Sequence, residues 1–241
     1  MNEQRLLNLN EAQQYRQKIE TYQPSPEIIQ QFAASNFGVI AGPTGVGKDT
    51  LRYELTQKNP ELYKTVLSVT TRPPRELEVE GVDYRFRNLA FIDEGLKTGR
   101  FLQVAVVHDQ QVSALDYGDI EEIGVGQVGL AILTVQTEVG LRHFHPGIKT
   151  LFLVTPDLRT LSERLNKDRT MAYEELQRRL HAAREEVKIA LEHSEYQCIV
   201  NDEIGRATSL ADEFLRTGQK NEAEDQAARQ AAHQLLNELS I

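Results

Sequence analysis

FGVIAGPTGVGKDTL, residues 37–51, places an apolar run, a glycine-rich turn and the opening of a helix in immediate succession. Phe37–Ala41 has the length and character of a buried strand. Gly42, Gly47 and Lys48 then satisfy G-x-x-x-x-G-K. A strand, such a turn and a helix in that order form a phosphate-binding loop. Its glycines let backbone amides close around phosphate oxygens that a side chain would block, and the helix start adds its own N–H groups. Gly42, Thr44, Gly45, Val46, Gly47, Lys48, Asp49 and Thr50 are therefore the expected phosphate site, with Lys48 as the point charge on the terminal phosphates. Asp49 stands where the common pattern has a serine or threonine hydroxyl that helps hold magnesium. A carboxylate also offers oxygen to that ion, directly or through water, at the cost of a negative charge beside phosphates. Asp49 is the expected metal ligand, and Thr50 takes the hydroxyl role only if the loop shifts.

Outward from the loop, apolar strands alternate with helical patterns. The strands are expected at Gly38–Ala41, Val66–Val69, Leu130–Val135, Thr150–Val154 and Gln197–Val200. The helices are expected at Lys48–Gln57, Leu89–Thr98, Asp157–Asn166 and Tyr173–His193. That alternation implies an α/β fold with a parallel sheet covered by helices on both faces. Residues 1–36 form a polar appendage of two short amphipathic helices broken at QPSPE, where Pro24 and Pro26 punctuate and Ser25 caps the second. Residues 219–241 form a second appendage, Ala-rich and helical, with a weak stripe of Leu235, Leu236 and Leu239.

The chain has 241 residues and 40% hydrophobic content, enough for one domain with appendages. Its 36 acidic and 27 basic residues give a net charge of -9, which disfavours nucleic acid and anionic lipid as partners. A single cysteine, Cys198, excludes an internal disulfide and fits a reducing compartment. The N-terminus is too polar for a signal peptide and no apolar run approaches a membrane span, so a cytoplasmic protein is expected. Composition leaves the oligomeric state open. His143 and His145, in RHFHPG, have no cysteine or carboxylate at metal spacing and read as a turn before the Thr150 strand.

A second motif follows the loop. In LSVTTRPPRELEVEGVDYRF, residues 67–86, Arg72 and Arg75 lie beside the hydroxyls of Ser68, Thr70 and Thr71, with Tyr84 as a further donor. Two guanidinium forks with hydroxyls suit a phosphate monoester dianion. This segment and GPTGVGK together resemble the guanylate kinase family, as do FLQVAVVH, LFLVTPDLRTLSERL, RRLHAAREEV and YQCIVNDE further on. The likeness covers roughly residues 37–215 and leaves both appendages outside.

The resemblance implies a P-loop NTPase core over 37–218, a small NMP-binding segment near 70–125 and a lid near 166–178. It implies transfer of the ATP gamma-phosphate to GMP with Mg2+, small nucleotides being the partners. By position, Ser68, Arg72, Arg75 and Tyr84 would hold the acceptor phosphate. Lys48 would bridge the donor phosphates, Asn201 would lie near the adenine, and Arg179 would neutralise charge on the transferring group, unless it simply pairs with Glu175 one turn earlier. In the lid, Arg169 would take the place of a family arginine.

Several positions depart from the family pattern. Gln103 aligns with the family's guanine-reading glutamate, and a glutamine cannot accept from both N1–H and the 2-amino group. The family's Tyr-Gly-Ser/Thr is matched only by Tyr117-Gly118-Asp119, after extra residues, so that Asp119 would face the base. A strand-end pair of aspartates reads Thr134-Val135-Gln136, with Glu138 on the same face as Gln136 if the strand continues. These departures keep two alternatives in view: a ribose 1,5-bisphosphate phosphokinase-like enzyme, since that family also has aspartate after the loop lysine, and a binding module whose catalysis has decayed.

Overall fold

The computed structural model describes residues 5–166 and 173–239, which fall into two compact units. One comprises the described residues of Asn36–Lys64, Gly126–Val139 and Gly147–Ile241. It is organised on a five-stranded sheet whose order is β2 (Tyr63–Val66), β7 (Val128–Ile132), β1 (Phe37–Ala41), β8 (Lys149–Val154) and β9 (Gln197–Val200). β1 runs parallel to both β7 and β8, and β8 parallel to β9. All five residues of β1 are buried, as a central parallel strand requires. Gly38 permits a close approach: a Cβ there would lie 2.6 Å from Cδ2 of Leu215, on α9 (Ile204–Thr217).

The C-terminal appendage is part of this unit. α10 (Glu222–Glu238) buries Ala228, Ala232 and Leu235 and packs against β9, the outermost strand. Its buried Asp225 accepts from the Cys198 N–H at 2.8 Å and pairs with Lys220 and Arg229, each at 2.8 Å. An edge-strand amide that would otherwise lack a partner is thereby satisfied. Burial works to raise the Asp225 pKa, but the hydrogen bonds from Lys220, Cys198 and Arg229 prevail and hold it below the ordinary value.

The other unit comprises the described residues of Met1–Ser35, Thr65–Val125 and Gly140–Pro146. Its four-stranded sheet has the order β4 (Arg85–Phe86), β3 (Ser68–Thr70), β6 (Gln111–Asp116) and β5 (Phe101–Val107). One face carries Val69, Phe101, Val104, Val112 and Ala114, and these pack with Leu7, Ala12 and Tyr15 of the N-terminal appendage and Ile92 of α4 (Leu89–Thr98). α1 (Leu9–Glu20) starts at a capping box made by Asn8 and Glu11, and α2 (Pro26–Ala34) at Ser25, whose Oγ accepts from the Ile28 N–H. Tyr22 fastens this appendage to the sheet, donating to Phe101 O at 2.6 Å and accepting from its N–H at 2.8 Å.

Two expected strands differ from those observed. Val66–Val69 is split at Leu67, because β2 belongs to one sheet and β3 to the other; the Leu67 N–H is taken by Asp119 Oδ2 at 3.0 Å instead of a ladder partner. The strand expected over Leu130–Val135 ends at Ile132. Thr134 Oγ1 accepts from the Thr137 N–H at 3.2 Å, and α6 (Val135–Arg142) begins. Glu138 is thus helical, not strand-borne, and its carboxylate accepts from Thr150 and Tyr196.

Replacing Asp225 by alanine leaves two cations and an edge amide without their partner. Loss of one member of a buried ion pair costs about 3–5 kcal/mol, which at about 2–4 °C per kcal/mol lowers Tm by roughly 6–20 °C in thermal denaturation. The Asp225 pKa is depressed on folding, so its contribution is complete at neutral pH and is lost as pH falls below the value of a free aspartate, about 3.9.

Candidate active site

The phosphate loop connects β1 to α3 (Lys48–Lys58). Gly42 and Gly47 have φ of 137° and 96°, and a Cβ on Gly42 would lie 2.5 Å from Leu153 O. Gly47 N-caps α3 without a side-chain hydrogen bond, so the first amides of the helix stay available to an anion. Lys48 Nζ donates to Gly42 O at 2.5 Å and Pro43 O at 3.0 Å. Burial pushes the Lys48 pKa down, and the charges of Glu186 and Asp49 oppose that shift. Thr44 and Thr50 are exposed, while Val46 is buried.

The loop is held from outside through the Val46 carbonyl. Asn201 Nδ2 donates to Val46 O at 2.7 Å, and Arg164 of α7 (Leu158–Leu165) reaches the same oxygen at 3.4 Å and Asn201 O at 2.9 Å. Asn201 is itself fixed by its N–H on Val154 O at 2.8 Å. Sequence reasoning placed Asn201 near a base and passed over Arg164, whose signal is only one charged residue among several in a helix. Asp49 projects outward with a side chain 78% exposed, its carboxylate 3.5 Å from Arg52. On α8 (Tyr173–Glu192), Arg179 donates to Glu175 Oε1 at 2.7 Å, the one-turn pairing that its spacing allows. Arg169 lies outside the described residues.

The acceptor candidates fall in the other unit. Arg72 is almost fully buried, bound through two nitrogens to Glu78 at 2.5 and 2.7 Å, with its guanidinium 5.0 Å from the Tyr84 ring centre. Arg75 is the exposed member of the pair: its side chain is 73% exposed and lies 3.9 Å from Glu78. Ser68 and Gln103 both stand opposite Leu115, so they share one face of the four-stranded sheet, with Thr70 and Ser113 in the next row. That face is the one turned away from the apolar cluster. Thr70 Oγ1 on it is buried with no hydrogen-bond partner among the described residues. Glu78, which fixes Arg72, is in sequence one of three acids, with Glu76 and Glu80, that closely follow the arginine pair.

Two candidates are engaged elsewhere. Asp119 binds Arg85 at 2.9 Å through one oxygen and the Leu67 N–H through the other. Tyr117, at the start of α5 (Tyr117–Glu121), donates its hydroxyl to Gln31 of α2. His145 lies in the expected turn but is buried, edge-on to Phe32, with Nε2 2.8 Å from Ser35 O. Burial depresses its pKa. No cluster of three or more metal-ligating side chains occurs among the described residues.

Comparison with known proteins points one way. The family model described as guanylate kinase matches residues 35–217. The chain is similar to the guanylate kinase of Gloeobacter violaceus, 36% identical over 177 residues that cover 73% of this chain and 85% of that protein. It is 32% identical to the guanylate kinase of Myxococcus xanthus over 171 residues, covering 71% and 81%. The crystal structure of guanylate kinase from Anaplasma phagocytophilum shares the fold, with a TM-score of 0.60 at 20% identity over 80% of this chain and 90% of that one.

A methyl group at position 47 tests the loop directly. In Gly47→Ala the Cβ falls 2.6 Å from Asn201 Nδ2 at a φ of 96°. Strain of about 1–3 kcal/mol should weaken ATP binding about 5- to 150-fold by titration calorimetry, with little change in circular dichroism.

Proposed function

Because the chain belongs to the guanylate kinase family, we propose that it transfers the gamma-phosphate of ATP to the phosphate of GMP. The observation that carries this reading is the phosphate loop itself: Lys48 sits at a helix start with free amides, behind glycines that admit phosphate oxygens. A complete loop and a guanylate kinase match over residues 35–217 favour this reading over a ribose bisphosphate kinase or a decayed binding module.

Phosphoryl transfer needs positioning and charge stabilisation rather than a covalent intermediate on the protein. The α3 amides and Lys48 bind the donor phosphates, Lys48 exchanging the carbonyls of Gly42 and Pro43 for phosphate oxygens. Asn201 and Arg164 keep the loop in its binding shape through Val46 O. Arg75 closes on the acceptor phosphate, while Arg72 is held for it by Glu78 and the Tyr84 ring. Ser68 and Gln103 present polar groups on the acceptor face.

Magnesium suits the site. The ion is commonly held by only one or two carboxylates together with substrate phosphates, and Asp49 offers an exposed carboxylate in the first turn of α3. Asp49 would hold it, and the ion would neutralise charge on the donor phosphates. Small nucleotides are the substrates. No helix among the described residues is long and apolar enough to cross a membrane.

A coupled assay with GMP, dGMP, AMP, UMP and CMP at high enzyme and magnesium should show turnover with GMP; turnover with none of them sinks the reading. Arg75→Ala should raise the acceptor KM about 10- to 100-fold, the value of a charge-assisted hydrogen bond of roughly 1.5–3 kcal/mol. Asp49→Ser should shift the magnesium dependence of ATP binding, and an unchanged magnesium titration removes Asp49 as the ligand.

A further inference from the structure

Glu186 of α8 is a partly buried acid inside the stretch RRLHAAREEV, to which the sequence reading assigned no role. Its Oε2 is closed off from water and has no hydrogen-bond partner among the described residues. An unsatisfied buried acceptor is costly, so one beside a functional group calls for a role. The charged group acting on Glu186 is Lys48.

Lys48 needs such a neighbour. Its ammonium has three donors, of which the loop carbonyls take two. Burial works against its charge, and Glu186 is the foremost group opposing that loss. Asp49, the second, is 78% exposed, so water screens it. Elsewhere on α8, Glu175 is paired with Arg178 and Arg179. On the same helix Arg184 and Glu185 lie 3.5 Å apart. On α10, which packs against α8, Asp225 is matched by Lys220 and Arg229.

We propose that Glu186 is a positioning residue that holds the Lys48 charge in the phosphate loop and yields it to the phosphates of ATP, taking up a proton from solvent as it does so. The inference rests on the ATP-binding reading of the loop. A triphosphate brings several negative charges to Lys48. An ionised Glu186 would then repel them where little water screens the repulsion. One proton from solvent on the Glu186 carboxylate removes that repulsion and turns an oxygen without a partner into an O–H donor. Burial already pushes the Glu186 carboxyl up to about 7 against the pull of Lys48, so the added phosphates need shift it only a little further.

The sign follows directly. Below neutral pH, Glu186 is already protonated and ATP binds without uptake. Above it, Glu186 is ionised before binding and protonated after. Titration calorimetry of the full chain with magnesium and ATP, in buffers of different ionisation enthalpy, reads the proton number directly. At pH 8 a group of pKa ~7 is about nine-tenths ionised, and the terminal phosphate is past its own ionisation near ~6. The wild type should take up about 0.4–0.9 proton per ATP at pH 8, and clearly less at pH 6. Glu186→Gln should bind ATP with buffer-independent heat at pH 8. Wild-type binding with buffer-independent heat at pH 8, or equal uptake in wild type and Glu186→Gln, overturns the proposal alone. Absence of ATP binding by the wild type overturns the ATP reading and this proposal with it. Should Glu186→Gln not fold, Glu186→Asp replaces it: the pH midpoint of uptake should move, and an unmoved midpoint overturns the proposal.

Discussion

The carbonyl of Val46 is the point on which the donor side of this molecule turns. Phosphate-binding loops work by presenting N–H groups inward, which forces carbonyls outward into the surrounding protein. An outward carbonyl must find donors or carry the cost of burial. Asn201 and Arg164 meet that need for Val46, and they come from the end of one strand and from the helix following another. The loop is therefore shaped as much by the fold behind it as by its own glycines. The same constraint explains why Asn201 is buried, and why its backbone is tied to Val154 before its side chain does any work.

The acceptor side rests on a different device. Its sheet is thin and would expose an apolar face without help. The N-terminal helices supply that help: Leu7, Ala12 and Tyr15 complete the cluster, and Tyr22 takes both backbone groups of Phe101. With one face filled, strand alternation leaves Ser68, Thr70, Gln103 and Ser113 on the other. Arg72 is arranged in the same spirit. Glu78 offsets its charge and two rings cover it, so a guanidinium can stay in place before any phosphate arrives.

Much of this was legible in the chain itself. Phe37–Ala41 and Gln197–Val200 read as buried strands because they are short, apolar and bounded by turn residues, and they are strands. Ser25 before Pro26 and the alanines of α10 gave their helices away by local chemistry alone. What stayed hidden depends on contacts distant in sequence. Nothing near Leu67 marks the passage from one sheet to the other, since its amide is met by Asp119, 52 positions on. Glu138 looked like a strand residue because periodicity over two positions cannot reveal that Thr134 starts a helix. Arg164, Glu78 and Glu186 are ordinary charges in sequence and acquire meaning only from their surroundings.

α10 bears on how the catalytic portion can be cut. It lies beyond residues 35–217, the span shared with the family, yet it covers the outermost strand and supplies the carboxylate for the Cys198 amide. A fragment trimmed to the shared span would present β9 as a bare strand with an amide seeking a partner. Open edges of this kind recruit strands from neighbouring molecules. The shared span alone thus leaves β9 without the cover that the extra helix supplies.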